Sequence, residues 1–364
     1  MLEKEVYFNK NYEAIEFCKK FESKDNEVKR YVLGRNAYAQ FLASKLYLDG
    51  YIDDYTEDKE FKGVKILKTQ ELPENSMVVV CSLDRIKTVS KKLKELKIYH
   101  LDYYAFYKYT SLKLRPIEYW NGFENDYKVN FEEYQNIYNK LRDDDSKNTL
   151  NKLINFRLAY DVSFMSDFSF RIDKQYFESF LNIDDNSEAV FADVGAYDGQ
   201  TTIDFIKRYP NYSSVHLFEP DYENYKIAEC TLENYKNIHI HNKGLSNKKD
   251  KLKFECSLGQ SSKVSDSGED FIDVDRFDNI VSSVVTFIKM DIEGAEKEAI
   301  EGMTSSILKY HPVMAIAVYH RFDDFWKIPK LILSIRSDYN LFLRHYTEGL
   351  GETVMYFVPR GSNL

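Results

Sequence analysis

The chain has 364 residues, 43% of them hydrophobic and 30% charged, with a net charge of −9. That length suggests two domains with enough apolar surface for real cores, and the acidic balance excludes the basic footprint of a nucleic-acid binder. No apolar run approaches the length of a membrane span, and MLEKEVYFNKNYE at the start is too charged for a signal peptide. The 29 Tyr and 25 Phe read mainly as core and interface filling, with ring stacking on a sugar or base open to a few.

Four cysteines, Cys18, Cys81, Cys230 and Cys256, form no CxxC pair. They fit a reducing, cytoplasmic setting and not a zinc site. In residues 1–110, KRYVL, FKGVKIL and SMVVVCS alternate with amphipathic stretches such as DRIKTVSKKLKELK. This is the βαβ pattern of a parallel sheet. Residues 111–188 change character: NFEEYQNIYNKLRDDDSKNTLNKLINFRLAYD predicts two helices joined at Asp143–Ser146, where acidic and Ser residues favour an N-cap.

Alternation resumes in residues 189–360. VFADVGA, SSVHLFEP, NIHIHNKGLS, KLKFECS, VTFIKMDI and PVMAIAVY read as strands, with helices between them and one at about 324–336. NLFLRHYT and ETVMYFVP close the chain as an antiparallel pair around EGLG, and the last residues, PRGSNL, read as a disordered tail.

VFADVGAYDGQT reads as strand, loop and helix. Gly195 and Gly199 let the chain turn sharply and a ligand approach the backbone. The helix from about Thr201 aims its amides at that ligand. Asp193-x-Gly195-x-x-x-Gly199 differs from the G-x-G-x-x-G pyrophosphate fingerprint. Asp193 and Asp198 would repel a diphosphate and suit a cationic ligand such as S-adenosylmethionine. At the end of the next strand, FEPD supplies Glu219, an acid able to accept both ribose hydroxyls; the plainer reading is a solvated strand end.

Taken together, DVGAYDGQT, FEPD, SNKK, FIDVDRFD and above all FIKMDIEGAEKEAIEG resemble the FkbM family of S-adenosylmethionine-dependent methyltransferases, over about residues 150–359. The run Lys289 to Glu296 is the most specific motif. The resemblance implies an α/β fold: a seven-stranded class I methyltransferase sheet, Rossmann-like, with its last strand antiparallel. It implies O-methyl transfer with S-adenosylmethionine onto a small molecule or saccharide, here a surface glycan or nucleotide-activated sugar. The expected cofactor residues are Asp193, Gly195, Ala196, Tyr197, Asp198, Gly199, Thr201, Glu219, Pro220 and Asp291.

Residues 1–110 resemble a smaller Rossmann-like module, followed by a helical linker over 111–188. The module's loop GRNAYA keeps only Gly34; Asn36 and Ala39 replace the other glycines. A side chain there obstructs a pyrophosphate, which favours a structural or docking role. Under the competing reading, a nicotinamide-dependent oxidoreductase of sugar nucleotides, Asp53 and Asp54 are the ribose acids. A non-catalytic binding protein on a methyltransferase shell is the other alternative.

Asp291 ends the fourth sheet strand, and Glu293 stands just before a helix starting near Gly294. Both face the crevice at the carboxyl ends of the strands. Glu293 serves equally well as a helix N-terminal acid. His320, ending the fifth strand, is the first choice of general base, with Asp291 as base or orienting partner. His345 is a lesser pocket residue, and His311 belongs at the opposite edge. Asp291 and Glu293 could share a Mg²⁺ ion with a third carboxylate, although no cluster of recognisable spacing marks a metal site. LGQSSKVSDSGE, between Ser257 and Asp270, reads as a lid or a plain surface loop.

Overall fold

The structure is a computed structural model that describes residues 1–181, 183, 189–255, 263–264 and 270–361. The first sheet contains β1 (Lys29–Leu33), β2 (Gly50–Ile52), β3 (Glu60–Phe61), β4 (Val64–Leu67), β5 (Ser76–Val80) and β6 (Tyr99–Asp102), in the order β3-β4-β2-β1-β5-β6. All its pairings are parallel except β3 with β4. Every residue of β5 is buried, as expected of a central parallel strand covered on both faces.

After the helix Tyr103–Tyr109, which follows β6 directly, the linker supplies the helices Phe123–Val129, Phe131–Lys140 and Asp144–Ala159. The first was not legible as a separate element. The last is capped where the sequence predicts, the Ser146 amide donating to the Asp143 carboxylate at 2.8 Å.

The second sheet contains β7 (Val190–Val194), β8 (Ser214–Phe218) and β9 (Ile238–His241) on one side. β10 (Gly244–Leu245), β11 (Asp250–Glu255), β12 (Lys263–Val264) and β13 (Asp270–Asp275) leave it to form a small separate sheet, so KLKFECS is not a strand of the main one. β14 (Phe287–Met290), β15 (Val313–Ala317), β16 (Tyr339–His345) and β17 (Thr353–Pro359) complete the order β16-β17-β15-β14-β7-β8-β9. β17 runs antiparallel to both its neighbours and extends into the stretch read as a tail. The turn before it is longer than the EGLG motif suggests, spanning residues 346–352. The proposed lid lies outside the described residues, apart from residues 263 and 264.

The second sheet is fastened to the linker and to the first module by polar contacts as well as by a shared apolar core. Arg344 Nη2 on β16 pairs with Asp143 Oδ2 at 2.6 Å. Glu348 accepts the Thr88 amide at 2.8 Å, and its own amide donates to the Asp84 carbonyl at 3.0 Å. At Gly349 a Cβ atom would lie 1.9 Å from the Leu83 carbonyl oxygen, so only glycine lets the two backbones meet there. These contacts set the carboxyl end of β7 opposite the first sheet, across a cavity of about 1230 Å³.

Candidate active site

β7 and β14 are both fully buried, yet each carries one charge: Asp193 in VFADV and Lys289 in FIKM. The parallel register puts the two residues side by side. Lys289 Nζ lies 3.2 Å from Asp193 Oδ1 and donates to the Gly195 carbonyl at 2.6 Å, while Thr202 Oγ1 donates to Asp193 Oδ2 at 2.9 Å. The pair therefore tethers the loop after β7 to the neighbouring strand and to the next helix, Gln200–Arg208. Gly195 has a φ of 79°, and a Cβ there would stand 1.9 Å from the Asp291 carbonyl oxygen. Glycine is required here by the left-handed turn and by this backbone crossing.

Glu219 follows β8 and is buried. One carboxylate oxygen accepts the Tyr197 amide and the other the Asp221 amide, each at 2.9 Å. Burial pushes its acid up to about 7. Together with Gly195, Ala196, Tyr197, Asp198 and Pro220 it lines the cavity.

The chain after β14 makes a left-handed turn at Glu293 (φ 54°) and Gly294 (φ 96°), and the helix begins only at Glu296. Glu293 is therefore a turn residue and not the acid of a helix N-terminus. His320 Nδ1 lies 2.8 Å from Glu296 Oε1, which also accepts the Ile292 amide at 3.0 Å. His320 Nε2 makes no hydrogen bond, with Asp291 Oδ1 at 3.3 Å and Glu293 Oε2 at 3.7 Å. Burial opposes the charging of His320, but Glu296, Asp291 and Glu293 outweigh it and hold the imidazole up at about 10. The same ion holds the Glu296 acid below its ordinary range against its burial.

Tyrosines complete the wall. Tyr176 donates to Asp291 Oδ2 at 2.6 Å, and Tyr119 donates to Glu293 Oε2 at 2.9 Å. The Tyr119 ring packs edge-on against His320, centroids 5.5 Å apart. Tyr119 itself has a φ of 66°, a strained conformation for a residue with a Cβ.

The family model for the methyltransferase FkbM domain matches residues 193–351, which span the tethered loop, Glu219 and the acid–histidine cluster. The chain carries an FkbM methyltransferase domain. A crystal structure of methyltransferase FkbM from Methylobacillus flagellatus shares the fold with a TM-score of 0.73 at 24% identity, over 95% of this chain and 93% of that one. An rRNA methylase from Streptococcus thermophilus aligns with a TM-score of 0.33 and 10% identity, over 47% of this chain and 87% of its own. Fibrillarin from Aeropyrum pernix aligns with a TM-score of 0.30 and 11% identity, over 47% and 66%. No curated protein matches the chain.

Within the FkbM domain, Gly195, Ala196, Tyr197, Asp198, Thr201, Glu219, Pro220 and Asp291 all line one cavity. Asp193 and Gly199 do not. Asp193 is consumed by Lys289 and Thr202, and Gly199 (φ 83°) packs on Leu232 and Ala228. His320, read as the first choice of base, does not itself line the cavity: Nδ1 faces Glu296 and Nε2 faces Asp291 and Glu293. His345 is fully buried, bonded through Nδ1 to Thr353 Oγ1 at 2.8 Å and packed on Phe168, so it belongs to the core and not to the pocket. His311 sits at the far edge beside Asp338, as expected.

Asp291, Glu296 and His320 bring three ligand-type atoms within 4.8 Å of one another. Both nitrogens of His320 face carboxylates, an arrangement suited to a proton; a metal there would need the imidazole neutral. Tyr119, Tyr176, Glu296 and the Lys289–Asp193 pair were missed from sequence. A single Lys and a single Asp in two otherwise apolar strands was the signal that could have found the last.

Proposed function

We propose that this chain is an S-adenosylmethionine-dependent O-methyltransferase on a class I methyltransferase sheet, acting on a hydroxyl of a small-molecule or saccharide acceptor in the cytoplasm. The observation that carries the reading is the buried Glu219 carboxyl, which faces the same cavity as the β7 loop and Asp291. The donor set fits such a cofactor: Glu219 can accept from ribose hydroxyls, and Asp198, the loop acid that lines the cavity, suits a cation and opposes a diphosphate. S-adenosylmethionine supplies an electrophilic methyl on a sulfonium, and the residues of the chain supply alignment and a proton acceptor.

We assign proton acceptance from the attacking hydroxyl to Asp291. Tyr176 donates to its Oδ2 oxygen at 2.6 Å and His320 Nε2 lies 3.3 Å from Oδ1, so both flanking groups fix the carboxyl at the cavity wall. His320 is then a positioning residue, fixed by Glu296. With the assignment goes a division into a first module at 1–110, a helical linker at 111–188 and a methyltransferase domain at 189–360. Three unpaired cysteines, Cys18, Cys81 and Cys230, support a reducing compartment, and among the described residues no helix is long and apolar enough to cross a membrane.

The dinucleotide reading is disfavoured by the first module. Asn36 fills its loop, donating to the Cys81 carbonyl at 2.7 Å and accepting the Ala39 amide at 3.1 Å. Asp53 is paired with Arg35 at 2.9 Å, and Asp54 with Lys92 at 2.7 Å.

Calorimetry with S-adenosylhomocysteine tests the proposal. The wild type should bind it saturably, and Glu219→Ala should weaken binding at least about tenfold, the loss of one charge-assisted ribose contact. An unmeasurable wild-type affinity overturns the reading, and an unchanged constant in the variant removes the ribose role. Asp291→Asn should lower the single-turnover rate by about 10²–10⁴-fold, the span of general-base catalysis.

A further inference from the structure

The cavity holds more room, and a more lopsided charge, than a nucleoside cofactor requires. Ligand pockets for drug-sized molecules run to about 300–1,000 Å³, and this one reaches about 1230 Å³. Its far wall comes from the first sheet and the linker, through Tyr38, Asp84, Glu118 and Tyr119, and from the β16–β17 connection, through Glu352. Nine carboxylates and three basic side chains line the whole.

Two of those three bases are already engaged. Lys289 is tied to Asp193 and the Gly195 carbonyl, and Arg321 Nε donates to the Gly294 carbonyl at 2.8 Å. The buried His320 cation faces Asp291, Glu293 and Glu296 together, one positive charge against three negative. Its Nε2, buried and without a hydrogen bond, points at the two of these acids that line the cavity. Glu352 adds a further carboxyl in an unusual backbone setting, φ 63°, held by Gln175 and by Tyr319 OH at 3.2 Å. Burial and then Asp291 push its acid up to about 7, as expected where negative charge is in excess. Tyrosine rings at 38, 119 and 319 line the same region, and aromatic faces attract cations as well as sugar rings.

We propose that the part of the cavity between the linker and the second sheet is the acceptor subsite, and that it takes an alcohol bearing a protonated amine and no phosphate. This rests on the methyltransferase reading and narrows it: a nucleotide-activated sugar would bring a diphosphate to a wall carrying Asp84 and Glu352, two carboxyls that form no ion pair among the described residues. An ammonium group supplies the charge that the protein leaves out. Glu352 and Asp84 bind it, and the neighbouring hydroxyl is presented to Asp291.

The test uses the full chain saturated with S-adenosylhomocysteine in an amine-free buffer, titrated by saturation-transfer NMR with glucosamine, N-acetylglucosamine and glucose 6-phosphate. The first two differ in the charge of one nitrogen. Glucosamine should bind at least about tenfold more tightly than N-acetylglucosamine, a difference of roughly 1.4 kcal/mol, and glucose 6-phosphate more weakly than both. The preference should vanish in Glu352→Gln/Asp84→Asn, with S-adenosylhomocysteine titration of that variant reporting whether it has folded. Failure of the wild type to bind S-adenosylhomocysteine sinks the cofactor reading. Binding of S-adenosylhomocysteine without a glucosamine preference, or with tighter binding of glucose 6-phosphate, overturns this proposal alone. A folded variant that keeps the preference overturns the location.

Discussion

Each sheet opens with a strand, a left-handed glycine and a helix, and the two loops have opposite fates. After β1, Gly34 (φ 102°) leads into Asn36, whose side chain caps the helix Ala37–Ala43 and bonds the neighbouring strand end. The acids beyond β2, Asp53 and Asp54, are spent on Arg35, Lys92 and Thr69. After β7 the tether is buried beneath the loop, in Lys289 and Asp193, while Glu219 and Asp291 remain at the cavity wall. On the proposed reading the second loop serves a cofactor because its tether lies behind it and its acids, although hydrogen-bonded within the protein, line the cavity. On the same reading the first is scaffold, its cap and acids turned to partners of their own module.

The sharpest way to break this comparison is a methyl group on each glycine. Gly195→Ala forces a Cβ to within 1.9 Å of the Asp291 carbonyl oxygen, whereas the nearest atom at Gly34 is 3.6 Å away. Denaturant unfolding should show a loss above about 4 kcal/mol for the first, the range of severe core defects. Gly34→Ala should cost only the left-handed backbone, about 1–2 kcal/mol. Equal losses would end the distinction.

The ion pairs sharpen it further. Lys289→Met leaves Asp193 charged and buried and should cost about 3–5 kcal/mol, while Lys92→Met, at a half-exposed pair, should cost under about 1 kcal/mol.

Smaller effects follow from titration. On the proposed reading ribose hydroxyls would donate to the ionised form of Glu219, whose acid lies at about 7, so S-adenosylhomocysteine affinity should rise as pH climbs from 6 to 8. The slope should be at most about tenfold per pH unit and absent in Glu219→Gln.

His320 acts on stability in the opposite direction. Its folded pKa of about 10 exceeds the ordinary 6.5, so its contribution is complete below 6.5 and declines as pH rises through 10. His320→Gln should flatten that alkaline decline in thermal melts, leaving a smaller slope between those limits.

The parallel strands, the cap at Asp143 and the glycine loop after β7 were legible because they depend on local patterns: apolar runs, a capping residue, glycines between strand and helix. The resemblance of FIKMDIEGAEKEAIEG also held, since that run supplies Lys289, Asp291, Glu293 and Glu296 to one small region. What those residues touch was not legible. His320 invited the role of base because a lone histidine at a strand end carries no mark of the three carboxylates packed around it. Tyr119 and Tyr176 lie in a segment without motif, among many tyrosines, and only tertiary folding brings them to Glu293 and Asp291. The glycine at 195 was recognised for its turn, which its left-handed φ bears out, but the carbonyl it also accommodates belongs to a residue nearly a hundred positions later.

Gly349 fits against the Leu83 carbonyl with no space for a methyl group, and Glu348 beside it grips Thr88. The closing hairpin of one sheet is thus riveted to the other at the rim of the shared chamber. A gene fragment starting after the linker would lose both the partner of that rivet and one wall of the chamber. On the proposed reading acceptor choice and cofactor handling would therefore be inherited together, and swapping the first half for that of a relative should transplant substrate preference only if the rivet is transplanted with it.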